Sequence, residues 1–352
     1  MIGISVYLSD EDAEERILLA SSSGVKLAFT SLHIPEESGI SPKRVGELLS
    51  LFKKEGFEVF ADVSKKTPEN LGLHHFEELK GLGVTSLRLD DGFTTEEMLE
   101  LSQHFRIAIN ASTVGERELQ GWINCGMETG DMIAWHNFYP KPETGLDQEY
   151  FLKQQDLYDR YGIPVYAFIQ GDEKKRGPLH LGLPTLEDHR GQNPYVSAVQ
   201  LKRWGVTGVF VGDPGCSGPL LRKLHHFDQE DVIELLYKGN GEIEGEYQLR
   251  PDPGRDVLRL LDTRTKDEVP PLDTLERPRG SITQDNNLYG RYSGEIQIVR
   301  NDLMRDPAVN VIGRIRDEDL DLIGLLEPAQ KICFKRGTDL NKCRPDKKSF
   351  HE

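Results

Sequence analysis

Eight short apolar runs recur through the first 214 residues, and each ends in a cluster of polar residues. They are GISVYL (residues 3–8), LAFTSL (27–32), EVFADV (58–63), SLRLD (86–90), IAINAS (107–112), MIAWHNF (132–138), PVYAFIQ (164–170) and VTGVFVG (206–212). Such runs read as strands buried on both faces of a parallel sheet. The stretches between them carry helix marks. Ser41-Pro42 reads as an N-cap and first helical residue, with Gly56 as the stop. Ser9 before Asp10, Glu11 and Asp12 suits the positive end of a helix dipole. Thr95 and Asp147 open two further helices, the second ended by Gly162 and carrying Leu152, Leu157 and Tyr161 at helical spacing. Eight such units predict an α/β fold, a (β/α)8 or TIM barrel, whose strand C-termini and following loops build the active site. The units vary in length and share no motif, which argues against a leucine-rich solenoid.

Residues 219–224 and 228–237 read as closing helices, giving a barrel domain over residues 1–238. From Gly239 the texture changes. Short β-like runs (GEYQLRP, DVLRLLDT, GEIQIV, VNVIGRI, KICF) follow one another without helices and are punctuated by Gly, Pro and Asp. They predict a smaller antiparallel β domain or barrel over residues 239–334. The polar, patternless residues 335–352 are expected to be a disordered tail.

Composition narrows the chemistry. The 352 residues leave room for a second domain beyond the about 250 that a barrel takes. A formal net charge of −16 argues against nucleic acid or an anionic membrane as partner, since both need a net basic face. No run approaches the roughly 20 apolar residues of a membrane span. The opening MIGISVYLSD enters the first strand directly, unlike a signal peptide. Cys125, Cys216, Cys333 and Cys343 lie far apart without metal-ligand spacing, as expected of reduced thiols in a cytoplasmic protein.

The polar residues at the run ends are the candidates for chemistry. They include Ser5 and Tyr7, then Ser31, His33, Glu36 and Glu37, then Asp62 and Ser64, then Arg88, Asp90 and Asp91. Further along come Asn110, Ser112 and Thr113, then His136, Asn137, Tyr139, Lys141 and Glu143, then Gln170, Asp172, Arg176 and Arg190, and finally Asp213. Two carboxylates flanking one glycosidic bond suffice for sugar hydrolysis. Any one of them could equally cap a helix or pair with a neighbour, as is expected for Asp12 and Asp91. The arginines can grip an anion by bidentate pairing. Their bland role would be to brace the long seventh loop through Glu187 or Asp188. His33, His136, Asp62, Asp90 and Asp213 could in principle converge on a metal. No HxH pair stands on the first strand, though, so no metal and no cofactor is expected. No GxGxxG or GxxxxGK[ST] phosphate loop follows a strand.

Several of these segments resemble one bacterial family. GISVYLS, FTSLHIPEE, ADVS, LRLDDGF, INAST, WHNFYPKPETGL, FIQGD and RGPLHLGLPTLEDHR are similar to the 6-phospho-N-acetylmuramidases, as are RPRGSIT, DNNLYGRYSGEIQIV and VNVIGRI. The resemblance runs over residues 3–334, with Lys141 and Gln170 standing where relatives often have arginine and proline. It implies a TIM barrel followed by a cyclophilin-like β domain, an intracellular place in peptidoglycan recycling, and a phosphorylated amino-sugar disaccharide as small-molecule partner. The implied reaction is hydrolysis of the β-1,4 bond of N-acetylmuramic acid 6-phosphate–N-acetylglucosamine. Asp90 and Glu143 are then the leading catalytic carboxylates, with Asp62 and Asp213 in reserve. Arg176, Arg190 and, from the second domain, Arg279 are expected to grip the phosphate. Tyr289 would offer a flat face to a sugar. Two other readings compete. A pyridoxal-phosphate barrel enzyme would need a lysine on the first strand, where Ser5 and Tyr7 stand instead. A non-catalytic sugar-phosphate sensor, or a prolyl isomerase in the β domain, would bind without hydrolysis. A homodimer is compatible with the sequence and is not specified by it.

Overall fold

A computed structural model of the chain describes residues 1–32, 41–90 and 92–337. The chain divides into two compact units, Met1–Gln229 and Glu230–Glu352. The first is a closed parallel barrel of eight strands in sequence order: β1 (Ile2–Ser5), β2 (Leu27–Ser31), β3 (Glu58–Val63), β4 (Val84–Leu89), β5 (Arg106–Asn110), β6 (Met132–Trp135), β7 (Val165–Ile169) and β8 (Gly208–Val211). β8 returns to β1, with Gly3 opposite Phe210, so no edge is left open.

Side chains, not space, fill the barrel. Phe29, Phe60, Trp135, Tyr166, Phe168 and Phe210 form one buried cluster, with the Trp135 and Phe210 ring centroids 4.4 Å apart. Two glycines make room for these rings. A Cβ on Gly3 would lie 2.2 Å from the Phe210 ring, and one on Gly208 would lie 2.7 Å from Tyr166.

The helix signals are mostly realised. Ser41 accepts from the backbone N–H of Arg44 at the start of the helix Pro42–Lys54, and Asp147 caps the helix Gln148–Arg160 through Tyr150. The next helix has Thr94 as its N-cap, in a capping box with Glu97, and runs Thr95–Ser102. The first helix begins later than expected, at Ala13. Asp10 and Asp12 are drawn instead into ion pairs with Arg16, so they clamp that helix from its side.

The domain boundary also moves. The helix Gly218–Glu230 ends at Asp231, whose φ is +51°, and the segment read as a closing helix is a strand, β9 (Val232–Lys238). Val232, Ile233, Leu235 and Tyr237 are buried there, which a surface helix would not allow. The second unit also contains β10 (Gly245–Gln248), β11 (Val257–Arg259), β12 (Ser281–Asp285), β13 (Ile296–Val299), β14 (Val309–Ile315) and β15 (Lys331–Arg336). They form one sheet in the order β10-β15-β9-β14-β12-β13-β11. It is mixed rather than purely antiparallel, because β9 and β15 run parallel. Lys335 and Arg336 therefore belong to a strand and not to the tail; the rest of the expected disordered tail, from residue 338, lies outside the described residues.

Replacing Trp135 by alanine should remove the centre of the aromatic cluster and cost about 3–5 kcal/mol. Thermal unfolding followed by circular dichroism should then show a midpoint lower by on the order of 10 °C.

Candidate active site

Alternation along the strands decides which polar residues face the barrel axis. Phe29, Phe60, Ala108, Trp135 and Phe168 belong to the interior cluster. Residues two positions on share their face, so Ser31, Asp62, Asn110, Asn137 and Gln170 form the next inward layer at the carboxyl ends. Arg88, the register partner of Asp62, completes it. Its guanidinium spans three strands: Nη1 lies 3.1 Å from Asp62 Oδ1 while Nη2 donates to Asn137 Oδ1. Asp62 is 6% exposed, so this is a nearly dry ion pair whose geometry the planar fork fixes. Asp90 has the same parity as Arg88 and is exposed one layer higher, where its N–H donates to Val63 O. Asn110 turns its Oδ1 to the N–H of Ser112 at 3.0 Å, bracing its own turn.

His136 has the opposite parity to Trp135 and Asn137, so its ring turns away from the layer in which it was expected to meet a sugar. It is fully buried with its ring 4.7 Å from that of Phe151. The Ser112 Oγ accepts from the Asn137 N–H and lies 3.2 Å from His136 Nδ1. The imidazole is neutral. Burial, and then the charge of Arg88, hold its pKa down at about 3. The histidine positions Asn137 from behind.

The loops after β6 and β7 are tied by one ion pair. Arg190 meets Glu187 through Nε at 2.7 Å and Nη2 at 2.9 Å, and it also donates to the carbonyls of Gly182 and Tyr139. With Leu181 O as a further acceptor, every N–H of its fork has an internal partner. Arg190 thus braces these loops and has no donor to offer a phosphate. Glu187 in turn accepts from the N–H of Glu143 and of Gly145, at 3.0 and 2.8 Å. That holds the exposed Glu143 at φ +68°, a left-handed conformation costly for a residue with a Cβ. The Arg190 hydrogen bond, with the two backbone N–H donors, keeps the Glu187 carboxyl at about 2. Tyr139 is fixed through its backbone, donating to Pro184 O and accepting from Arg190.

Asp213 proves to be a brace as well. Its buried carboxylate accepts from the N–H groups of Gly171, Arg176 and Leu183 at 3.0, 3.1 and 3.3 Å, with Lys175 at 3.6 Å. It fastens the loop after β7 to the end of β8. Asp172 accepts from the N–H and hydroxyl of Ser217, just ahead of the helix Gly218–Glu230, and is likewise structural. Arg176 is held differently. Its guanidinium carbon lies 3.6 Å from the ring centroid of Tyr7, whose hydroxyl donates to Gly212 O. Tyr7, noted only as a strand-end residue, is the platform that positions Arg176.

In the second unit, Arg279 is exposed and donates to Leu320 O at 3.1 Å, and the Tyr289 hydroxyl donates to Asp306 at 2.5 Å. The sequence reading missed the buried Asp285 beside Glu295. Burial first, then the charges of Glu295 and Asp306, push the Asp285 pKa up to about 7. Among the described residues no three His, Cys, Asp or Glu side chains converge as metal ligands would. His33, Glu36, Glu37 and Asp91 lie outside the described residues.

A closed parallel barrel with an acid-, arginine- and amide-lined mouth, followed by a mixed β unit, defines a two-domain TIM-barrel protein. Profiles of the amino-terminal and carboxyl-terminal regions of 6-phospho-N-acetylmuramidase match residues 2–226 and 229–335. The chain belongs to the 6-phospho-N-acetylmuramidase family. Among solved structures, a conserved Enterococcus faecalis protein of unknown function is 34% identical, with 96% of each chain covered and a TM-score of 0.84. An uncharacterized B. cereus protein is 25% identical, covering 95% of this chain and 99% of its own, with a TM-score of 0.78. No curated protein matches the chain.

The Glu187 brace has a defined pH range. Its folded pKa lies below the unfolded one, so its stabilisation is fully present above about pH 4.5 and is lost as pH falls through about 2. Glu187→Gln should speed hydrogen exchange at the Glu143 and Gly145 amides at neutral pH at least about tenfold, while the thermal midpoint changes little. Unchanged exchange at both amides would show that the turn holds itself.

Proposed function

We propose that the protein hydrolyses the β-1,4 bond of N-acetylmuramic acid 6-phosphate–N-acetylglucosamine, as a cytoplasmic enzyme of peptidoglycan recycling. The observation that carries this reading is the family match across both units, onto a barrel whose inward layer links Asp62 and Asn137 through Arg88. Asp90 and Glu143 are the two carboxylates assigned to the bond itself, one as general acid and the other as base or nucleophile. Both are exposed and so open to proton exchange with water. Asp62, fixed by Arg88, is a stationary negative charge at the floor that supports an oxocarbenium-like transition state. Arg176 on its Tyr7 platform is assigned the 6-phosphate, since a planar fork can meet two phosphate oxygens at once.

Assays with the phosphorylated and unphosphorylated disaccharides test this assignment. Asp90→Asn and Glu143→Gln should each lower kcat by about 10²–10⁴-fold on the phosphorylated substrate. Near-native turnover removes that carboxylate from the mechanism. Arg176→Ala should erase the preference for the phosphorylated form, whereas equal losses on both substrates would make the arginine structural. Saturable binding without turnover by the native protein would favour a sugar-phosphate sensor.

A further inference from the structure

The second unit contains a cavity of about 580 Å³, within the range of small-ligand sites. It opens where β9 ends at Lys238 and leaves the edge of β14. Its wall is built tightly. A Cβ on Gly239 would lie 2.5 Å from Gly313 Cα, and one on Gly241 would lie 2.9 Å from Ile312 O, so residues 239–241 press directly on β14. The β12–β14 register shifts at this point, between the pairs Ile282–Gly313 and Thr283–Val311, which leaves Ile312 as an extra residue. Bulges of this kind re-aim side chains beside functional sites. The facing wall is pinned by the buried Asn310, which donates to Pro270 O and accepts from the Leu272 N–H, both at 2.9 Å.

The cavity's charges are sorted by position. At one end Lys238 and Arg314 are direct cross-strand partners, an arrangement that repels unless an anion joins it. Arg314 reaches Asp317 only at 3.7 Å, and Lys238 has no ion pair among the described residues. At the other end Asp273, at φ +48°, receives the Val311 N–H on its carbonyl, with Glu268 on the same strap. Neither acid has an ion pair among the described residues. Val269, Leu272 and Ile312 give the space between an apolar lining. Val311 and Arg314 are three residues apart on β14 with the Ile312 bulge between them, so the two ends are separated along the strand by at most roughly 10 Å.

We propose that this cavity binds a short peptide by both its termini, the carboxylate at Lys238 and Arg314 and the ammonium at Asp273 and Glu268. An extended tripeptide spans about 10 Å, enough to reach from one end to the other, and its side chains fill the apolar middle.

Calorimetric titration of the full chain with Ala-Leu-Ala and Ala-Phe-Ala, each with free, acetylated or amidated ends, tests the proposal. At least one free tripeptide should bind tighter than about 1 mM, and blocking either end should weaken it at least tenfold. Lys238→Ala should make binding indifferent to C-terminal amidation. Asp273→Asn, which tolerates the left-handed backbone, should make it indifferent to N-acetylation. Failure of both free peptides to bind, or binding that ignores the blocked ends and both variants, overturns the assignment.

Discussion

A side chain on a β-strand can face only one of two ways, and in a closed barrel one of those ways is the axis. Everything at the mouth follows from that constraint. Because Phe60 and Trp135 fill the interior, Asp62 and Asn137 must stand above them, and His136 must point outward. Arg88 then arrives at the register position beside Asp62, and its fork closes the gap to Asn137. Slipping β3 by a single residue would turn both Phe60 and Asp62 toward the helices and put Ala61 and Val63 inward.

The loops around this mouth are held by buried or half-buried charge. Asp213 gathers three backbone N–H groups from the loop after β7, and Glu187 gathers two from the loop after β6. Each does for an irregular loop what a ladder does for a strand, satisfying donors that would otherwise be stranded. Arg190 ties the two loops into one body. The sharp positions, Glu143 and the Arg176–Tyr7 stack, are supported by these braces.

Much of this was legible in the sequence because the relevant signals are local. The eight apolar runs, the Ser41-Pro42 cap and the Asp147 cap each depend on a few neighbouring residues, and all appear where expected. Pairing across the sequence was harder to see. Asp213 and Asp172 have the composition of ligand-binding residues, and only their distant partners reveal them as braces, whereas for Arg190 the bracing role through Glu187, three residues away, was already open in the sequence. β9 was misread as a helix because VIELLYK follows a real helix directly; its strand character comes from β15, almost a hundred residues away. His136 was misplaced for want of a parity argument that Trp135 could have supplied.

The proposed reaction requires the inward layer to be the floor of a sugar site. A crystal structure of the Glu143→Gln variant soaked with the phosphorylated disaccharide tests that most directly. The account predicts density for the amino sugar above Asp62, Arg88 and Asn137, with its phosphate against Arg176. Disaccharide bound elsewhere, with that layer in contact only with water, would contradict it.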